Sequence, residues 1–135
     1  MPHPPPQLFE EAVRGGGTAR LLGKWGENQV ATYLRNRGYE VLDVNYRCRL
    51  GELDIVASKG RFLAFVEVKL RRSSDVATAR EAVTHTKQQK LRAAALLYLQ
   101  SHPTHLQPRF DVAEIYAPQG TETSHPRINY LENAF

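Results

Sequence analysis

The chain is poor in cysteine: Cys48 stands alone among 135 residues. No intrachain disulfide can form, and no cysteine-based zinc site can be built. Cys48 lies between Arg47 and Arg49, with no histidine or second cysteine close in sequence. It reads as a loop thiol in a reducing compartment. Apolar runs are short, so no span long enough for a bilayer is expected. The opening MPHPPPQLFEEAVRGGGTAR has no basic segment followed by an apolar one, so no signal peptide is expected, and the expected location is the cytoplasm. Charge of one sign is not in great excess. A net charge of +4 permits a polyanionic partner without demanding one. Internal repeats are also missing.

What is present is ordinary for one globular domain: 41% hydrophobic and 24% charged residues. Residues 1–18 hold a PPP and a GGG run and read as a flexible tail that cannot bury a core. Residues 19–135 read as a single domain.

A helix is expected over 19–37, ended by Gly38. Val30, Ala31 and Leu34 follow Glu27 by three, four and seven positions, so Glu27 shares the apolar face. Gly23 and Gly26, on the preceding turn, weaken a helix and point to close packing or ligand approach. A strand is expected over 39–46, then an Arg-rich loop. The segments 52–58 and 61–70 read as a hairpin turning at Lys59-Gly60, which pairs Ser58 with Arg61. That register gives one wholly apolar face (Leu53, Ile55, Ala57, Phe62, Ala64, Val66, Val68). The other face carries Glu52, Asp54, Glu67 and Lys69. A second helix is expected over 79–101, with Lys87, Leu91, Ala94, Ala95 and Tyr98 on one face, ending at His102-Pro103. A strand over 109–117 and an edge strand in RINYLENAF complete an α/β sandwich around a mixed sheet.

The stretch FVEVK (65–69) plants two charges in a hydrophobic strand. Such charges are costly unless paired, metal-bound or working. Glu67 and Lys69 share a face by alternation, and the expected register sets Asp54 diagonal to Glu67. A carboxylate pair suits Mg2+, a hard cation that takes oxygen ligands and substrate phosphates. Glu27 can add a ligand or hold a metal-bound water, and Lys69 can orient the attacking water or stabilise the transition state. An internal salt bridge from Lys69 to Glu67 or Asp54 accounts for the same spacing, and both readings stand open here. Glu52 is expected to turn outward at a bulge. Lys87 is the second-helix cation best placed to meet a phosphate. Arg47, Arg49, Arg71 and Arg72 form a candidate phosphate rim, or else a solvated one. Trp25 and Tyr46 read as near-core residues rather than base-stacking platforms. The five histidines read as surface, and Asp111 as an arginine partner.

The ordered set G-x-x-G-E (Gly23 to Glu27), G-E-L-D (Gly51 to Asp54), F-V-E-V-K (Phe65 to Lys69), Lys87 and R-F-D-V (Arg109 to Val112) resembles the YraN-type family of bacterial endonuclease-like proteins. Its D…ExK part is similar to the PD-(D/E)xK nuclease signature, with Leu53 where that signature has proline. The resemblance covers about 19–116 and a family-like NAF ending. It implies a restriction-endonuclease-like core, a mixed central sheet flanked by helices. It implies Asp54 and Glu67 as metal ligands, Lys69 as the catalytic lysine and Glu27 as an additional carboxylate of the resolvase-like branch. The expected activity is Mg2+- or Mn2+-dependent hydrolysis of phosphodiester bonds in DNA, branched or structured DNA included. By analogy with resolvases a homodimer is expected, and no membrane partner. The alternative is a catalytically silent nucleic-acid-binding module with the same fold, acting in recombination or DNA uptake. A third is a scaffold whose charges are a relict salt-bridge network.

Overall fold

The first helix, α1 (Gly17–Asn36), ends where Gly38 permits it. Gly38 has φ 88°, its N–H donates to the Arg35 carbonyl, and the Tyr39 N–H reaches back to the Leu34 carbonyl. This paired closure satisfies carbonyls that the helix end would otherwise orphan. The computed structural model describes residues 17–72 and 83–135, with side chains from residue 20 onward. Residues 1–16 of the expected tail and 79–82 of the expected second helix lie outside the described residues.

Five strands follow: β1 (Glu40–Cys48), β2 (Gly51–Lys59), β3 (Phe62–Arg71), β4 (Gln107–Tyr116) and β5 (Arg127–Leu131). The second helix, α2 (His85–Ser101), lies between β3 and β4 in sequence. Thr84 caps it by accepting the Lys87 N–H. The sheet order is β1-β2-β3-β4-β5, with β3 and β4 parallel and every other pair antiparallel. The fold is thus α/β with a mixed five-stranded sheet, in keeping with a restriction-endonuclease-like core.

Helices cover both faces of the sheet. Val30, Ala31 and Leu34 of α1 pack with Ile55, Ala57, Ala64, Val66 and Ala113. Leu91, Ala94, Ala95 and Tyr98 of α2 pack with Val56, Leu63, Phe65 and Val112. Gly26 lets α1 lie close to the strands: a Cβ there would meet Leu70 Cδ1 at 3.0 Å. No helix among the described residues is long and apolar enough to cross a membrane.

Two expectations about the hairpin are corrected. The turn is Gly60-Arg61, and Lys59 pairs with Phe62, so the register slips by two residues. Gly60 has φ 57°, and a two-residue hairpin of this kind wants glycine at its first central position, not lysine. A slip of two by itself changes no face, and Ile55, Ala57, Ala64 and Val66 stay together as expected, but it sets Asp54 rather than Glu52 level with Glu67. The apolar faces also differ from the expectation. Leu53 packs with the α2 cluster, out of step with Ile55. A matching break lies across the ladder. Asn45, opposite Asp54 in the β1–β2 register, has φ 61°, which breaks alternation between Val44 and Tyr46. Tyr46 therefore joins Leu53 on the α2 side.

Two fully buried carboxylates tie the far strands together. Asp111 accepts from Arg109, from the Tyr130 hydroxyl and from the Asn133 N–H. Glu114 is bonded by Arg71 and Asn129. Asp111 thereby holds the C-terminal segment, whose Ala134 is buried and whose Phe135 stacks on Phe110 at 5.1 Å.

Candidate metal and nucleic-acid cleft

An open cleft of about 280 Å³ lies where α1, the first three strands and the start of α2 meet. Its acidic members are Glu27, Glu52, Asp54 and Glu67, and its cationic members are Arg20, Lys24, Arg47 and Lys87. Asp54 and Glu67 lie deeper than the cations. Glu67 is 6% exposed and Asp54 is half-buried, whereas Arg20, Lys24, Arg47 and Lys87 are exposed.

Asp54 and Glu67 form the centre. The β2–β3 ladder closes at Ile55 and Val66, and Asp54 Oδ2 takes the next N–H, that of Val68, at 2.8 Å. The Asp54 carboxyl is hydrogen-bonded to Glu67. Neighbouring carboxyls disfavour ionising together, so the pair holds on to a proton more readily than either group alone would. Burial, then the charge of Asp54, pushes Glu67 up to about 8. Burial also raises Asp54, against the pull of the Val68 N–H. Glu27 rises to about 7, through burial first and then the charges of Asp54 and Glu52.

The cation in contact with Glu67 is Lys87, with Nζ 3.6 Å from Oε1. Lys69 makes no ion pair with Glu67 or Asp54 among the described residues. It stands half-buried on β3 and acts on Glu67 only as a more distant charge. The internal salt bridge from Lys69 is therefore absent. Glu52 is exposed, lines the cleft and meets Arg47 at 3.5 Å. Arg49 and Arg72 are exposed outside the cleft lining. Arg71 is turned to buried Glu114. Trp25 is half-buried outside the cleft lining, and Tyr46 packs edge-on against Tyr98 at 5.1 Å. Asp111 is an arginine partner, as its strand position suggested.

Arg20, Lys24 and Asn45 line the cleft and were not singled out from the sequence. A signal existed for two of them. Arg20, Lys24 and Glu27 fall at i, i+4 and i+7, one helical face. Nothing in the sequence marks Asn45, whose place follows from the break in β1.

The donor set suits a hard cation in part. The Asp54–Glu67 pair is largely withdrawn from solvent and offers only oxygen ligands, and a divalent ion would displace a proton held there. Among the described residues, no three His, Cys, Asp or Glu side chains converge closely enough to hold a metal ion. Glu27 thus faces the pair across the cleft without joining it.

Fold and cleft together define an α/β protein with a restriction-endonuclease-like core and a paired-carboxylate site. The model of the uncharacterised protein family UPF0102 matches residues 26–115. A UPF0102 protein of Syntrophomonas wolfei is 44% identical over 117 residues, covering 86% of this chain and 98% of the relative. One from Caldicellulosiruptor saccharolyticus is 42% identical over 117 residues, with the same coverage, and one from Nocardia farcinica is 43% identical over 121 residues, covering 88% and 92%. The chain belongs to the UPF0102 family, the YraN-type family its motifs resemble.

Proposed function

We propose that the protein is a Mg2+- or Mn2+-dependent nuclease that hydrolyses phosphodiester bonds in DNA, branched or structured DNA included. The observation that carries this reading is the Asp54–Glu67 pair, set deep in a cleft rimmed by four cations. Asp54 and Glu67 would hold the metal. When bound it would polarise the phosphodiester and acidify a water. Glu27, with its pKa near 7, is suited to orient that water and to take its proton. Lys87 is placed to leave Glu67 for a substrate phosphate. Lys69, two residues past Glu67 and paired with no carboxylate among the described residues, is suited to steady charge that develops on the phosphate.

Purified protein offered linear, single-stranded, flapped and four-way DNA with Mg2+ or Mn2+ tests this. Cleavage by the parent, lost in Glu67→Gln with the fold intact, is the expected result. Equal cutting by the variant would overturn the site assignment.

One observation favours a second reading, a nuclease-fold module that binds nucleic acid in recombination or uptake without cutting it. It is the lack of a third converging ligand among the described residues. Binding without cleavage across all of those substrates and both metals would select it.

A further inference from the structure

Gly23 sits inside α1, where glycine is less favourable than alanine because it loses more backbone freedom. Gly26, one turn on, has a packing reason, because a Cβ there would press on Leu70 and Ile115. Gly23 has none: among the described residues, a Cβ there would meet nothing within 4 Å. Its φ is not in the left-handed region, so backbone strain does not explain it either. Yet Gly23 lines the cleft, on the same helical face as Arg20, Lys24 and Glu27. A patch of helix backbone left bare by the described residues, flanked by two exposed cations and next to a carboxylate pair, has room for a further chain.

We infer that a nucleic-acid strand crosses α1 at Gly23, its sugar-phosphate backbone lying against the bare helix and its phosphates held on either side by Arg20 and Lys24. The inference rests on the nucleic-acid reading of the cleft and names the wall that the strand follows. Arg47 extends the same rim from β1, and Lys87 faces it from α2. Phosphate contacts supply sequence-independent affinity, which suits a protein reading backbone rather than bases.

The test is binding to a fluorescent single-stranded oligodeoxynucleotide in EDTA, with no cleavage possible, beside thermal unfolding. Gly23→Ala and Gly23→Leu both improve helix propensity, so Tm should rise by roughly 3–6 °C. Affinity should fall with side-chain size, by about tenfold or more for leucine. Arg20→Ala with Lys24→Ala should flatten the slope of log affinity against log salt by about 1.4. Arg35→Ala, exposed near the far end of α1, should leave that slope unchanged. Full affinity in both Gly23 variants, or a drop in Tm, overturns the inference. Wild type that binds but never cleaves sinks the nuclease reading and leaves this one standing. Wild type that binds no DNA overturns both.

Discussion

Glu67→Gln should weaken the pH dependence of the metal-free protein's stability across a range where the parent loses stability, leaving the smaller contributions of Glu27 and Asp54. Glu67 titrates near 4.5 unperturbed and is pushed up to about 8 in the fold. Between those values the native state holds a proton that the unfolded state has released. Unfolding therefore becomes easier as pH rises. The stabilising contribution is fully present below about pH 4.5 and is lost as pH climbs through about 8. At about 1.4 kcal/mol per pH unit, this amounts to at most about 5 kcal/mol, shared with Asp54 because the two carboxyls titrate as a pair. Glutamine keeps the size of Glu67 and can donate its amide to Asp54, but cannot ionise. At pH 9 the variant should then exceed the parent by roughly 3–5 kcal/mol, on the order of 10 °C in Tm. The assay is thermal unfolding of both proteins from pH 5 to 9 in EDTA. Repeated with Mn2+, the parent should recover stability most at high pH, where the ion no longer competes with the proton. Parallel curves for parent and variant would refute the raised proton affinity of the pair.

Other outcomes follow from the same geometry. Lys87→Met removes the cation that pulls Glu67 down, so the pH at which the parent loses stability should move upward, readable in the same titration. Asp111→Ala strips Arg109 and Tyr130 of a fully buried partner and should cost about 3–5 kcal/mol in urea unfolding. It should also increase hydrogen exchange at Ala134, because the segment that Asp111 holds through Asn133 is released. Gly26→Val drives methyls into Leu70 and should cost about 1–3 kcal/mol by the same measurement, in contrast to substitutions at Gly23.

Much of the fold was legible because it depends on short-range patterning. The apolar stripe Val30-Ala31-Leu34 and the face Leu91-Ala94-Ala95-Tyr98 mark two helices by their spacing alone, and both are buried as those spacings require. The strands were readable from alternation and β-branched residues, with bounds that moved by a residue or two. The slip in the hairpin was legible in principle, since Gly60 is better placed as the first turn residue than as the second. The flip at Leu53 was not. It goes with the positive φ of Asn45 on the neighbouring strand, and pleat alternation within β2 carries no trace of it. In the cleft, Glu27, Asp54 and Glu67 could be grouped from helix face and strand face. Which lysine meets Glu67 could not, because Lys87 arrives from α2 after a long connection.

The sequence by itself determined the element types, the two-sided burial of the sheet and the identity of the acidic residues, because periodicity and side-chain chemistry are local properties. Tertiary structure alone decided that Asp54 and Glu67 lie side by side and raise each other's proton affinity, that Lys87 rather than Lys69 answers Glu67, and that Arg71 serves Glu114 instead of the rim. Each depends on the distance between residues remote in the chain, and electrostatic energy falls with that distance and with exposure to water. The bare surface at Gly23 belongs to the same class: a glycine in a sequence shows what is missing, and only the packed molecule shows that nothing described fills its place.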